Sequence, residues 1–372
     1  MMMSIFNRFI FFILLLTFSV VEVSGAVSDT VIVDTIRIKH KSRKFLVLPA
    51  LVKSIETSFG FGLAGSFFFK TNKKDTTIRT SNIEALGLYT LRHQDVFLLG
   101  CNVYFPKEKY ILRWRNTFTH FPDKFWGLGN NTQDNWESYD FTQLFINPQL
   151  LRKIYKTFFV GITYEMQRVF TLDYKEGGYF DQQDITGRGG STVSGLGVLM
   201  AYDTRNNAFS TTKGFYTQVL ALGFGRVIGS EYNFGQYIID TRKFFPVRKK
   251  DVIALQSYLY FNSGNVAYRN MAYLGGSDMM RGYYAGRFRD INSIAFQGEY
   301  RLHVYGRFGI VGFAGMGEVS DNLKNFNIRT FHYSWGGGLR FKINRKENYN
   351  LRLDYGVGQG TSGLYFTVSE AF

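Results

Sequence analysis

SFGFGLAGSFFFK, from Ser58 to Lys70, changes polarity at almost every step. In an extended chain successive side chains point to opposite sides. Phe59, Phe61, Leu63, Phe67 and Phe69 therefore share one face, and Ser58, Gly60, Gly62, Ala64 and Ser66 the other. The pattern returns three times. Phe158, Val160, Ile162, Tyr164 and Met166 alternate with Gly161, Thr163, Glu165 and Gln167. Phe296, Gly298, Tyr300, Leu302 and Val304 alternate with Gln297, Glu299, Arg301 and His303. Near the end of the sequence Leu364, Phe366, Val368 and Phe372 alternate with Tyr365, Thr367, Ser369 and Ala371, and Glu370 interrupts the apolar face.

Bulky apolar groups on one face and small or polar groups on the other are what a strand needs when one side meets hydrocarbon and the other a lumen. A soluble sandwich would alternate too, but with more charge on its wet face and more proline in its turns. The chain has 5 Pro against 39 Gly, 24 Tyr and 38 Phe, a mixture suited to short turns and to aromatic belts at two membrane interfaces.

At the N-terminus Arg8 precedes an apolar run from Phe9 to Val21, followed by Ser24, Gly25 and Ala26. The run is shorter than the roughly 20 residues of a helical span, and its small-residue exit fits a secretory signal peptide over residues 1–25. A short periplasmic segment is expected over 26–43 and a barrel over 44–372. No later stretch has 18 consecutive apolar residues, so the mature chain is not a helical membrane protein.

Similar segments occur near 44–54, 58–70, 80–91, 96–105, 110–121, 138–148, 156–169, 194–204, 214–224, 231–245, 251–262, 293–305, 307–319, 330–342, 349–358 and 363–372. The expected fold is thus all-β, a sixteen-stranded antiparallel transmembrane barrel with a long sixth extracellular loop. The even count is what single-chain bacterial barrels have. With the N-terminus in the periplasm, the long connections 122–137, 170–193, 263–292 and 320–329 all fall on the extracellular side. That parity keeps the first strand in the count although Pro49 interrupts it, proline being tolerated mainly at sheet edges.

Catalytic and metal motifs fail their context tests. Gly60, Gly62, Gly65 and Gly358, Gly360, Gly363 have dinucleotide-binding spacing, but the first triplet lies inside an alternating strand and the second in a hairpin, where no helix receives a pyrophosphate. His40, His93, His120, His303 and His332 include no pair at helical spacing, and Cys101 is the only cysteine, so no metal site is expected. No cofactor and no catalytic residue is expected either, and the chain reads as a non-enzyme. The net charge of +15 would raise nucleic acid for a soluble protein. In an exported barrel it belongs to the lumen and to loops beside anionic headgroups, so nucleic acid is not an expected partner.

One loop is more specific. GGSDMMRGYYAGRFRD, from Gly275 to Asp290, resembles the sixth-loop motif of the surface-antigen superfamily of outer-membrane barrels, the BamA/TamA type of assembly and translocation proteins, at Arg281, Gly282 and Tyr283. FPDKFWGLGNNT (121–132) is similar to the family's aromatic-glycine loop, YDTRNNAFSTTKGFY (202–216), with Asp203 and Arg205, to its periplasmic turn, and LRLDYGVGQGTSGLYFTVSEAF (351–372) to its closing hairpin. The resemblance implies that Arg281 folds into the lumen onto an acid in a Phe-x-Asp-x-Gly strand. The segment taken as equivalent, Phe313–Gly317, has Gly315 at the acid position, which leaves Glu299 and Glu318 as the candidate partners. Leu364, Phe366, Val368 and Phe372 would form the C-terminal insertion signal. The resemblance covers the barrel alone, without POTRA domains.

The implied location is the bacterial outer membrane, as an integral protein. Its expected partners are outer-membrane lipids and the machinery that inserts it; unfolded client proteins or a separate periplasmic subunit are implied as further ones. The implied function is aid to insertion of outer-membrane proteins or lipids. The alternative is a passive pore or structural surface barrel that handles no client.

Overall fold

Each alternating stretch forms one strand of a closed antiparallel barrel in the computed structural model, which describes residues 43–72, 78–207, 210–248, 250–344 and 349–372. The expected signal peptide and nearly all of 26–43 lie outside the described residues. The first strands are β1 (Arg43–Ser54), β2 (Ser58–Phe69), β3 (Ser81–Thr90), β4 (Asp95–Tyr104), β5 (Tyr110–Phe125) and β6 (Glu137–Tyr155). Then come β7 (Phe158–Tyr174), β8 (Ser191–Asp203), β9 (Gly214–Phe224), β10 (Phe234–Pro246) and β11 (Val252–Gly264). A two-stranded ribbon, β12 (Ala272–Leu274) and β13 (Phe288–Asp290), stands apart from the wall. The wall resumes with β14 (Asn292–Tyr305), β15 (Phe308–Ser320), β16 (His332–Asn344), β17 (Tyr349–Gly358) and β18 (Thr361–Val368). Sixteen strands close the ring, and each pairs with its neighbours in sequence once the ribbon is passed over.

The connections 126–136, 175–190, 265–291 and 321–331 all leave from one end, the loop end; the other is the turn end. Polarity is inverted relative to a soluble protein. Leu99, Ile162, Leu196, Leu255 and Leu339 are exposed on the outside, while Gln149, Gln167, Gln218, Gln236 and Gln256 are buried inside. An outward apolar surface of this extent is stable only against hydrocarbon. Exposed aromatics ring both ends: Phe105, Tyr155, Tyr202 and Tyr305 at the turn end, and Tyr89, Phe170, Tyr237 and Trp335 at the loop end.

The expected sixth segment stops at 148, yet β6 runs on through Pro148 to Tyr155. Proline lacks the N–H that would ladder to the next strand. Here the Asn147 side-chain amide donates instead to the Tyr164 carbonyl of β7, at 3.0 Å, and the ladder resumes at Gln149–Thr163.

One junction is thin. β1 pairs with all twelve of its opposite residues in β2, from Arg43–Phe69 to Ser54–Ser58, but meets β18 at the single pair Lys53–Phe366. Pro49 sits in this edge strand, opposite Leu63.

Leu99 lies near the middle of β4, 54% exposed on the outer face. Leu99→Arg is expected to lower the stability of the barrel in lipid vesicles by about 2–4 kcal/mol, read from urea unfolding.

Candidate functional site

The 265–291 connection does not stand out from the loop end but turns back into the lumen. Its glycines make that path possible. Gly275, Gly276, Gly282 and Gly286 all have positive φ, where a side chain would be strained. Gly282 (φ 111°) also lies on the backbone of β17, and a Cβ there would come 2.6 Å from the Val357 carbonyl carbon. The strand underneath is cut to match. Gly356 leaves room for the Arg281 carbonyl and Gly358 for the Tyr283 ring.

Arg281 is the deepest cation of the loop, 1% exposed. Its Nη2 donates to Glu299 Oε1 of β14 and its Nη1 to Asp354 Oδ2 of β17, each at 2.5 Å, and its guanidinium stacks 3.6 Å from the Phe313 ring centroid. The acids are shared. Arg301 donates to the other Glu299 oxygen at 2.7 Å, Arg340 binds Asp354, and Arg352 reaches Asp278 of the loop at 3.2 Å. Buried charges are tolerable only when paired and hydrogen-bonded in this way.

Two sequence expectations change here. Glu318 does not meet Arg281; its carboxylate accepts from the Asn327 amide at 2.8 Å and the Thr330 hydroxyl at 2.6 Å, bracing the 321–331 connection. Gly315, taken as the acid position, sits under the loop instead, and a Cβ there would come 3.3 Å from the Met280 sulfur. The acid stands in β17 as Asp354, two residues before Gly356. That Asp-x-Gly spacing was present in the sequence, but Arg352 occupies the place where an aromatic was sought.

Gly282 and Tyr283 fasten the loop to the last strands. The Gly282 amide donates to the Tyr365 hydroxyl of β18 at 2.9 Å, and the Tyr283 hydroxyl donates to the Tyr333 carbonyl of β16 while accepting from the Gln359 amide. Two residues on, the Ala285 amide donates to Glu56, in the turn between β1 and β2, at 2.8 Å. Burial pushes the Glu56 carboxyl above the usual range, against the lowering effect of its hydrogen bonds with Ser54 and Ala285. The loop thus holds both sides of the thin junction. Further round, Arg287 donates to Thr132 at 2.6 Å and the Gly129 amide to the Arg289 carbonyl, so the aromatic-glycine connection is tied in as well. Arg269, in the first part of the loop, pairs with Asp123 at 3.3 Å within a stack of Phe125, Tyr139, Phe180 and Tyr268.

The segment after β18 departs from the expected insertion signal. Leu364 is exposed on the outer face and Phe366 shares that parity; the Val368 side chain is outside the described residues. At Ser369 (φ 78°) the chain turns inward. Glu370 then accepts from Arg340 at 2.7 Å and from Asn350 at 2.6 Å. Phe372 is buried beside Phe244, with Arg301 donating to its carbonyl at 2.9 Å. The outward alternation therefore stops before Phe372, because a left-handed residue reverses the path. At the turn end, Arg205 forms a two-pronged contact with Asp203 (2.9 and 2.8 Å) and lies over Tyr216, closing the β8–β9 connection. Among the described residues no group of three or more His, Cys, Asp or Glu is placed to hold a metal ion.

A profile of the Omp85 superfamily domain matches residues 83–372. The chain belongs to the Omp85 superfamily. Solved structures agree on the fold. BamA from Haemophilus ducreyi lacking POTRA domains 1–3 superposes with a TM-score of 0.60 at 11% identity, over 89% of this chain and 70% of that one. CdiB from Acinetobacter baumannii gives 0.57 at 11% identity, over 89% of this chain and 60% of that one. CdiB from Escherichia coli gives 0.57 at 10% identity, over 89% and 63%. The chain spans less than two thirds of either CdiB. No curated protein matches the sequence. As an Omp85 barrel with an apolar outer wall, the protein is an outer-membrane β-barrel.

Arg281→Ala leaves Glu299 and Asp354 without their shared cation in a buried site. The loss of folding stability is expected to be about 3–5 kcal/mol, read from urea unfolding in vesicles. Arg281→Lys should restore little of it, since an ammonium lacks the planar fork whose separate nitrogens reach the two acids while its face stacks on Phe313.

Proposed function

We propose that this Omp85 barrel helps insert other proteins into the outer membrane, without catalysis, by lending the edge of β1 to an incoming strand. The observation that carries the reading is the single-pair junction between β1 and β18. Within hydrocarbon an unpaired backbone N–H or C=O is costly, so two strand edges joined at one pair favour any extended segment that completes the ladder. A client strand supplies that segment. The loop motif at Arg281–Tyr283 positions the clasp from Tyr365 to Glu56 across the junction, and so sets how readily it parts. In this reading the loop end faces outward and the turn end faces the periplasm.

A passive pore is less well supported. Tyr268, Arg269, Met271, Leu274, Met280 and Tyr283 of the 265–291 connection are buried in the lumen and fill its loop end.

The test is a reversible staple. With Cys101 replaced by serine, cysteines at Lys53 and Phe366 face each other across the junction. In liposomes the reduced protein should speed insertion of an unfolded test barrel, the disulfide form should not, and reduction should restore the effect. Equal acceleration with the staple closed, or none from the unstapled protein, would remove the β1 edge from the mechanism.

A further inference from the structure

On the outer face of β10 to β16 the register sets two rows of side chains across the strands. One runs from Lys243 through Leu255 and Gly298 to Ala314; the next runs from Thr241 through Ser257 and Phe296 to Tyr333. The first row is small at Gly298 and Ala314, where the second carries the bulky Phe296 and Met316. Between them the wall holds a groove of about 500 Å³, bounded by Leu255, Phe296 and Met316 with Gly298 and Ala314 between. It crosses four inter-strand spacings, roughly 19 Å, comparable to the depth of one leaflet's hydrocarbon, about 15 Å.

The groove has a charged end. Lys243 lies three residues before β10 stops at Pro246, exposed, with its ammonium 5.4 Å from the Phe245 ring and 5.8 Å from the Phe215 ring. Among the described residues it meets no carboxylate. Its surroundings at the turn end are basic throughout. In each of the six turn-end connections that contain described residues, Lys and Arg outnumber Asp and Glu among those residues, through exposed side chains such as Lys109, Lys156, Lys213, Arg248, Lys250 and Arg307. At the loop end the two signs nearly cancel.

We infer that the groove is a lipid site: it takes one acyl chain of an anionic phospholipid from the leaflet at the turn end, with the headgroup phosphate on Lys243. The apolar slot recognises the chain. The cationic rim selects a net negative headgroup over a zwitterionic one, since each lysine near an anionic surface adds a favourable interaction. The site rests on the barrel facing lipid through its outer wall and does not depend on client handling.

Native mass spectrometry of the whole detergent-purified barrel, with phosphatidylglycerol and phosphatidylcholine added at equal concentration, tests it. The wild type should retain one phosphatidylglycerol in preference to phosphatidylcholine. Lys243→Gln should reduce that preference about fivefold. Ala314→Phe, or Gly298→Leu from the neighbouring strand, should fill the groove and abolish retention of either lipid, with heat-modifiable migration unchanged as the control for folding. Equal retention of the two lipids by the wild type, or undiminished retention by a folded groove-filled variant, would overturn the proposal. So would a lipid-free wild-type dimer that Ala314→Phe makes monomeric, which would put a second copy of the chain in the groove.

Discussion

Hydrocarbon offers no hydrogen-bond partner, so every backbone amide of a membrane-spanning wall must find its match in the next strand. That constraint makes the barrel close and sets where its exceptions matter. At Pro148 the missing donor is replaced by an asparagine side chain, and the sheet continues with little disturbance. Between β1 and β18 nothing comparable is supplied by the wall. The joint is held instead from inside, by a loop that reaches Tyr365 on one side and Glu56 on the other.

A loop can do this only if its backbone comes down onto a strand and its cation is neutralised there. β17 meets both needs on one face, with Asp354 for the charge and Gly356 and Gly358 for the approach. Neutralisation is collective. Arg281, Arg301, Arg340 and Arg352 share Glu299, Asp354, Glu370 and Asp278, so the loop, three wall strands (β14, β16 and β17) and the segment after β18 belong to one electrostatic unit.

Much of the architecture was legible because a two-residue period is a local property of the chain. The sixteen strands, the side on which the long connections lie and the loop carrying Arg281 all follow from reading along the sequence. What was misread depended on something outside that period. Pro148 signals an end unless the neighbouring Asn147 is known to replace the missing donor. Phe372 continues the outward parity until Ser369 reverses it. Glu299 was visible as an inward acid on an alternating strand, whereas Asp354 was hidden by a template that demanded an aromatic two residues earlier. The groove beside Lys243 was not legible at all, because its rows run across strands that are far apart in sequence.

The placement of Arg281's two acids also imposes an order on assembly. Glu299 follows it by 18 residues, Asp354 by 73. Contacts at long separation are made late, after the intervening chain has lost its freedom. Its contact with Glu299 can therefore form with β14, whereas the contact with Asp354 waits for β17, so the latch is completed only when the final hairpin arrives. The finished latch, needing acids from β14 and β17 together, doubles as a check that the wall is complete.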